Sequence, residues 1–495
     1  MSGLDGLDRL ERVVADDAAM VAYPSTTWTR AAAHDAADVS RDMGAHAVHA
    51  VRAADDASLF AADDVDVVII GAGQAGLTTA AKLRREGVER VVLVDRAPEG
   101  FEGPWATWAR MRTLRTAKEL HGPDTGIPSA TFHSWYRAQY GEPEWDHLDL
   151  IPRELWMAYL RWITRVFDLT VRSGTEVTDV VPTATGLAVH LDEGGTRSSV
   201  TARRVVVCTG TDGIGGPVLP EWTRTLSPEL WRHSSHDLPL HRLSGARVAV
   251  LGAGASAFDN AATALEAGAQ VTQFVRRDHL PTVNGLRSLE NRGIFRHFDA
   301  LPDADRLAIG RRTLSLSVPP PQHSVARCTD FDTFDLRFGS AWESVHERGG
   351  RAVVILTSGA EEEFDLLIAG TGFTVDLTRV PWLASLRDGI ATWADRADLG
   401  SDSADARLGR YPYLGRGMTA TPRTPEAESW AHRVHFLNQA ALISAGPAAV
   451  GINALPAGSD HLVAELCRSL VAEDAERFTQ GFLDDTVERV ALTVV

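Results

Sequence analysis

The segment VDVVIIGAGQAGLTTAAKLRREGVERVVLVD, residues 65–95, decides the fold of this chain. It opens with an apolar run of strand length and passes through the glycine motif GAGQAG. A helix-like stretch follows and ends at Gly87, and the strand-like VVLVD closes the segment. A strand, a glycine turn, a helix and a second strand in this order are typical of a βαβ unit that binds a dinucleotide. The sequence therefore predicts an α/β protein with a parallel sheet.

The glycines of this motif have separate expected roles. Gly71 allows the tight turn, Gly73 lets a pyrophosphate approach the backbone, and Gly76 allows close contact between helix and strand. Asp95 ends the second strand, 24 residues after Gly71, where an acid accepts hydrogen bonds from ribose hydroxyls. These residues predict a nucleotide whose ribose carries no extra phosphate. The alternative is a chance match to the glycine pattern.

A second unit of the same kind, RVAVLGAGASAFDNAATALEAGAQVTQFVRR, occupies residues 247–277. Gly252 and Gly254 stand in its turn, and Ser256 follows in the first turn of the expected helix. Alanine takes the third position of the motif, which the dinucleotide fingerprint permits. The chain therefore contains two predicted nucleotide sites rather than one.

The second unit ends in arginines where the first ends in an acid. Arg276 stands 24 residues after Gly252 and so matches Asp95 by residue count, and Arg277 matches Arg96. An arginine cannot accept a hydrogen bond from a ribose hydroxyl, but it pairs with a phosphate through charge-assisted bonds. This contrast predicts FAD in the first unit and NADPH in the second. The alternative is that both arginines are solvated surface residues.

Composition excludes several classes of protein. The formal net charge of −17 disfavours a nucleic-acid or anionic-membrane partner, and 44% apolar residues fit a globular protein. No apolar run is long enough to cross a bilayer, and the acidic N-terminus lacks the apolar core of a signal peptide. A cytoplasmic location is therefore expected. The sequence leaves a homodimer open.

The cysteines are few and far apart. Cys208, Cys328 and Cys467 contain no CxxC pair. This spacing predicts neither a disulfide framework nor a cysteine-type zinc site, and we expect no metal. It also argues against a disulfide reductase, which needs two thiols close together.

The length of 495 residues predicts more than one compact unit. We expect two Rossmann-like domains, with the NADPH domain inserted in the FAD domain. The FAD domain takes residues 63–235 and 360–495, and the NADPH domain takes 236–359. Residues 1–62 are rich in Ala and Asp and are expected to form a helical N-terminal extension.

Further motifs then occur in a specific order. They are EGPW ending in Trp105, CTG ending in Gly210, the stretch around His233, GAGASAFD from Gly252, and DLLIAGTGF, which includes Asp365 and Gly372. Over residues 65–375 this order resembles the class B flavin-dependent monooxygenases, and the resemblance implies that Trp105, Gly210, Asp365 and Gly372 contact the cofactors. The resemblance implies that NADPH reduces the flavin and that the reduced flavin reacts with O2 to form a C4a-(hydro)peroxyflavin. That species transfers oxygen to a substrate.

One basic stretch suggests a substrate site. Residues 105–118 carry four cations and no acid, and Arg112 and Arg115 belong to it. With Asn284 and Arg287, which follow the second unit, these arginines are expected to bind a small anionic substrate. The alternative is that they bind cofactor phosphates or pair with core acids.

The chain is most similar to the amino-acid N-oxygenating members of this family. That similarity implies a small amine or amino acid as substrate, with L-aspartate oxidised through a hydroxylamine to nitrosuccinate as the specific expectation. Two alternatives stay open. One is Baeyer–Villiger or sulfur oxygenation by the same class, and the other is an NADPH-dependent flavin oxidoreductase without oxygen transfer.

Overall fold

A computed structural model describes residues 3–24, 27–29, 64–400, 402–449 and 451–483. The predicted N-terminal extension lies partly outside these residues. Its described part forms a helix, Gly3–Val21, that packs on the helix Phe132–Tyr140. None of the helices in the described ranges has the length and apolar character needed to cross a bilayer.

The strands are β1 (Asp64–Ile70), β2 (Val91–Val94), β3 (Thr113–Ala117), β4 (Leu150–Pro152), β5 (Val171–Arg172), β6 (Thr175–Pro182), β7 (Leu187–Glu193), β8 (Thr196–Val207), β9 (Trp231–His233), β10 (Arg247–Leu251), β11 (Gln270–Phe274), β12 (Phe334–Arg337), β13 (Trp342–Arg348), β14 (Arg351–Leu356), β15 (Glu361–Phe364), β16 (Leu366–Ala369) and β17 (Val434–Phe436). They alternate with helices in the two glycine-motif units, as the sequence predicts, whereas in the described residues β5 to β8 and β12 to β16 follow one another without an intervening α-helix.

The α-helices cover and connect these strands. They are α1 (Gly3–Val21), α2 (Gln74–Arg85), α3 (Phe132–Tyr140), α4 (Glu142–His147), α5 (Arg153–Val166), α6 (Ala255–Glu266), α7 (Arg292–His297), α8 (Asp303–Ser315), α9 (Gln322–Thr329), α10 (Ser403–Leu408), α11 (Leu442–Ala445), α12 (Leu455–Glu473) and α13 (Ala475–Leu483).

The first sheet contains seven strands. Its order is β5-β2-β1-β8-β7-β6, with β17 also paired to β8. The pairs around β1 are parallel, and β6, β7 and β8 form an antiparallel meander. Every described side chain of β1 is buried, which explains why residues 65–70 are apolar except for Asp66, whose carboxylate pairs with Arg203 at 3.1 Å.

The second sheet contains five parallel strands in the order β12-β11-β10-β16-β9. Helices α6 and α9 cover one face, and the small antiparallel sheet β13-β14-β15 packs near the other. In the sequence these strands stand between β8 and β17, both of which belong to the first sheet. The predicted fold class, two Rossmann-like units with the second inserted in the first, is confirmed.

The two sheets do not follow the predicted domain limits residue by residue. Strand β9 and strand β16 fall on the FAD-domain side of the expected limits at 236 and 359, yet both pair in the second sheet. Conversely, Leu307 of α8 belongs to the hydrophobic core of the first sheet, and Gly310 of the same helix packs against Ile443. The helix α8 thus connects the inserted segment to the first core.

Candidate functional site

The first glycine turn joins β1 to α2 at the carboxyl end of the sheet. Gly71 has φ +101°, and a Cβ there would lie 2.6 Å from the carbonyl oxygen of Cys208. A Cβ at Gly76 would lie 2.0 Å from the Gly71 carbonyl oxygen. Both positions therefore require glycine, and the backbone N–H groups at the start of α2 are left to face a phosphate.

Asp95 is held against this turn. Its carboxylate accepts hydrogen bonds from the backbone N–H of Ala72 and of Ala97, each at 2.8 Å. A carboxylate has about four acceptor positions, and the two backbone N–H groups occupy two of them. About two acceptor positions are therefore left for ribose hydroxyls. This geometry fits the acid contact that the sequence predicts for the first nucleotide.

Two further features at the first turn fit a bound dinucleotide. The Oε1 atom of Gln74 accepts a hydrogen bond from Trp156, but its Nε2 atom is buried and has no partner among the described residues. Across the turn, a Cβ at Gly73 would lie 3.6 Å from the Cα of Gly103. Gly103 belongs to the EGPW segment, residues 102–105, which we call the flavin loop. Trp105 follows in that loop and packs partly against the first core.

The second glycine turn repeats this arrangement. Gly252 has φ +131°, and a Cβ there would lie 2.5 Å from the Gly370 carbonyl oxygen. A Cβ at Gly254 would meet open space, so a phosphate has room to approach the backbone. Ser256 lies in the first turn of α6, and the Oε1 atom of buried Gln273 has no partner within the described part of the chain. These residues fit a second nucleotide.

Strand register corrects the match between the two units. Val94 pairs with Ile70, the residue before Gly71, whereas Phe274 pairs with the residue before Gly252. The second unit is one residue shorter here, so Val275 rather than Arg276 occupies the place of Asp95. Val275 is 2% exposed and cannot contact a ribose.

Arg276 and Arg277 therefore follow the strand end by one and two positions. Both are exposed. The contrast between the two units is retained in a modified form: the first unit presents a carboxylate, while the second presents a valine followed by two guanidinium groups. Such a pair can reach a phosphate beyond the strand end.

The motif DLLIAGTGF contributes at both ends of β16. Asp365 lies at the amino end, where it accepts hydrogen bonds from Arg247 N–H at 2.8 Å and from Arg351 at 2.9 Å. It therefore joins strand ends at the edge opposite the glycine turns, and it does not face the expected cofactor. Gly372 follows the carboxyl end with φ +76°, and Gly210 follows β8 with φ +68°.

An aromatic cluster lies beside the carboxyl end of β16. The ring of Phe373 is 5.6 Å from that of Trp108 and 5.3 Å from that of His233. The Nε2 atom of His233 donates to the Gly372 carbonyl oxygen at 3.1 Å, which fixes the tautomer, because a carbonyl can only accept. Burial lowers the pKa of His233 to about 4, so the ring is neutral near pH 7.

Two of the predicted substrate arginines are already paired with acids. Arg115 donates to buried Asp259 at 2.9 Å, and Arg112 donates to Glu266 at 2.7 Å. Both acids belong to α6, the helix that begins at the second glycine turn. Arg115 therefore pairs with a core acid and Arg112 with a partly exposed one, and any contact with a substrate carboxylate would compete with these pairs.

The other two predicted substrate residues lie on one short 3₁₀-helix, Gly285–Leu289. Asn284 caps it by accepting from Leu286 N–H at 3.1 Å, and Arg287 is exposed. No described contact joins this helix to Arg112 or Arg115. A cleft of about 480 Å³ is lined by residues 117–119 and 146–150 and includes none of the predicted site residues.

Sequence reasoning missed one buried cation. Lys82 of α2 donates to Ser459 at 2.9 Å and to Asp460 at 2.6 Å, and both acceptors lie in α12. Burial lowers the pKa of this lysine. Lys82 lies on the buried, mostly apolar face of α2. That position is the one feature of the sequence that could have indicated a buried partner for this lysine.

Comparison with known proteins gives one full-length relative. An FAD-dependent urate hydroxylase of Xanthomonas campestris pv. campestris is 36% identical over 481 residues, which is 96% of each chain. A family model described as pyridine nucleotide-disulphide oxidoreductase matches residues 68–287. The matched range contains both glycine turns, and the three cysteines of this chain are free.

Solved structures share the fold at low identity. The ornithine hydroxylase of Pseudomonas aeruginosa superposes with a TM-score of 0.66 at 18% identity and covers 82% of this chain and 100% of its own. An ornithine N-hydroxylase of Kutzneria sp. 744, solved with reduced FAD, NADP+ and L-ornithine, gives 0.63 at 16% identity, with 82% of this chain and 99% of that chain covered. Both likenesses support the architecture alone.

Proposed function

This chain belongs to the FAD-dependent hydroxylases, and we propose that it uses NADPH and O2 to oxygenate a small anionic substrate that contains nitrogen. One oxygen atom enters the substrate, and the other leaves as water while NADPH becomes NADP+. The observation that carries the proposal is the contrast between the two βαβ units. Asp95 stands at the end of one, whereas Arg276 and Arg277 follow Val275 at the end of the other.

The first turn suits FAD, and bound FAD would supply the electron transfer and the oxygen chemistry. In this proposal the N–H groups at the start of α2 bind its pyrophosphate, and the carboxylate of Asp95 binds the ribose. The orphaned Nε2 of Gln74 donates to the same cofactor. Lys82 helps to hold α12 in place through its contacts with Ser459 and Asp460.

The second turn suits NADPH. The start of α6 binds its pyrophosphate, and Arg276 and Arg277 bind the 2′-phosphate. The rings of Trp108, Phe373 and neutral His233 pack together between the flavin loop and β16. An uncharged His233 adds no charge to this region.

For the substrate we favour an amino acid, with L-aspartate as the specific candidate. Asn284 and exposed Arg287 are the proposed contacts for its carboxylates, since neither is held by an acid in the described contacts. Exposed Arg112 joins them if it exchanges Glu266 for substrate, whereas Arg115 is held by buried Asp259. The amine must lose a proton before it accepts oxygen, so the rate should rise toward mildly alkaline pH.

Urate is the second candidate. The relative that is 36% identical over 96% of both chains is a urate hydroxylase, and this extended identity favours a shared substrate class. Urate is also a small anion that contains nitrogen, so the same arginine and amide contacts suit it. The two candidates differ in the atom that is oxygenated.

One experiment separates them. The purified protein is given FAD, NADPH and O2 with L-aspartate or with urate, and NADPH use is compared with product mass. An aspartate-dependent hydroxylamine or nitro product supports the first candidate, and a hydroxylated urate supports the second. If neither compound stimulates NADPH use or gains oxygen, both substrate assignments are wrong.

A further inference from the structure

A group of charged side chains joins the segment after the flavin loop to the helix that begins at the second glycine turn. We name it the interdomain cluster, and its members are Arg112, Arg115, Asp259, Glu266 and Arg327. Its centre is Asp259, whose carboxylate is almost fully buried at 2% exposure. Ser324 donates to this carboxylate at 2.7 Å, Arg115 donates at 2.9 Å, and Arg327 lies 3.5 Å away.

The second acid of the cluster lies two turns further along α6. Glu266 accepts from Arg112 at 2.7 Å and from two nitrogens of Arg327, each at 3.1 Å. Arg327 also donates to the backbone carbonyl of Arg110 at 3.1 Å. Two acids and three arginines from the first unit, α6 and α9 therefore form one continuous network.

This network connects the two nucleotide sites. Arg112 and Arg115 follow the flavin loop that lies opposite Gly73, while Asp259 is in the second turn of the helix whose first turn faces the other nucleotide. Asp259 is buried while Arg115 is 37% exposed. Replacing a buried ion pair by apolar packing of the same volume is often neutral or stabilising, so such a pair is weak evidence for stability. The cluster is thus better suited to orienting α6 than to stabilising the fold.

We propose that the interdomain cluster consists of positioning residues that set how the NADPH bound at α6 lies against the flavin. This inference rests on the proposed function. Reacting atoms must approach within about 3–3.5 Å, and a misplacement of about 1 Å lowers a rate by about a hundredfold. Loss of the cluster should therefore slow flavin reduction more than it weakens NADPH binding.

The test compares two partly exposed ion pairs of similar length. Arg112 and Glu266 are 2.7 Å apart with side chains 66% and 30% exposed, and Arg165 and Glu11 are 2.6 Å apart at 62% and 30%. The holoenzyme carries Arg112→Ala, Arg115→Ala or, as the matched control, Arg165→Ala. Flavin reduction by NADPH is followed without oxygen and without substrate, so substrate binding cannot affect the rate.

We expect Arg115→Ala to reduce the flavin about tenfold more slowly or worse, because it removes a charge-assisted bond to a buried acid. Arg112→Ala should slow reduction by up to about fivefold, the range for an exposed pair. Arg165→Ala should reduce at the wild-type rate, and Arg115→Lys, which keeps the charge, should recover part of the loss.

Hydrogen exchange gives a readout that does not depend on turnover. In Arg115→Ala the backbone amides of residues 107–117 should exchange faster, and added NADP+ should protect them less than in the wild type. Wild-type reduction rates together with wild-type exchange in Arg115→Ala would overturn the proposal. If the wild-type protein binds no FAD, the proposed function is wrong. The difference in hydrogen exchange at residues 107–117 between the wild type and Arg115→Ala still shows whether the interdomain cluster holds the two units together.

Discussion

The two arginines after β11 allow a quantitative test of nucleotide choice. Arg276 and Arg277 are exposed and follow a strand end, so their replacement by alanine should change folding stability by less than about 0.5 kcal/mol. NADPH and NADH differ only in the 2′-phosphate. Any effect of these arginines through that phosphate must therefore appear with NADPH and be absent with NADH.

The expected size follows from their exposure. A hydrogen bond to a charged group contributes about 1.5–3 kcal/mol, and exposed arginines belong at the low end of that range. About 1.5 kcal/mol corresponds to a roughly tenfold change in affinity, so Arg276→Ala should raise the KM for NADPH about tenfold. The double variant with Arg277→Ala should raise it by up to about a hundredfold if the two contributions add.

The assay is steady-state oxidation of each nucleotide by the FAD-loaded protein, with NADH on the same variant as the internal control. The KM for NADH should stay within about twofold of the wild-type value. A twofold change corresponds to about 0.5 kcal/mol, the free-energy effect typical of a surface substitution without a specific contact. Equal increases for both nucleotides would mean that the arginines act on the fold or on the pyrophosphate. No increase for NADPH would refute their assignment to the 2′-phosphate.

Three further predictions concern other residues. Asp95→Asn keeps the size of the side chain but removes its charge, so FAD should dissociate more readily by about tenfold, which is measurable by flavin fluorescence; unchanged retention would contradict the ribose contact. Arg287→Ala should raise the KM for the anionic substrate with little change in kcat, as expected for loss of uniform binding; an unchanged KM would exclude Arg287 from the substrate site. Burial lowers the pKa of fully buried His435 to about 4, so between pH 6.5 and 4 the unfolded chain takes up a proton that the folded chain does not. This histidine therefore destabilises the fold by about 2 kcal/mol at pH 5, and the loss of unfolding free energy from pH 8 to pH 5 should shrink by that amount in His435→Gln; an equal loss in both proteins would contradict this assignment.

The glycine units could be read from the sequence because local physics determines them. The apolar run of β1 is buried on both faces, and Gly71 stands where any Cβ would strike the Cys208 carbonyl. Both requirements leave a local pattern that needs no knowledge of the rest of the chain. The fold class follows from two such patterns in one sequence.

The residue that follows a strand could not be aligned by counting. The connection between helix and second strand differs in length between the two units, so Arg276 matches Asp95 by count while Val275 matches it by register. A difference of one residue in a loop leaves no mark in hydrophobic periodicity. The predicted contrast between an acid in the first unit and arginines in the second still holds, because Arg276 and Arg277 are adjacent and follow the strand end directly after Val275.

The partners of the basic segment could not be predicted either. Arg115 and Asp259 are 144 residues apart in sequence, and nothing local to either residue indicates the other. Similarly, the motif that contains Asp365 suggested a cofactor contact, but its place at the amino end of β16 turns it toward Arg247 and Arg351. Side-chain pairing across domains depends on how the domains are packed together.

The most direct test of the account follows oxygen itself. The FAD-loaded protein is incubated with NADPH, ¹⁸O2 and either L-aspartate or urate, and the product is analysed by mass spectrometry. We predict a product that carries oxygen from ¹⁸O2 and forms together with NADP+, with one of the two compounds consumed. If NADPH is oxidised while all the oxygen is recovered as hydrogen peroxide with both compounds, the protein does not hydroxylate either compound.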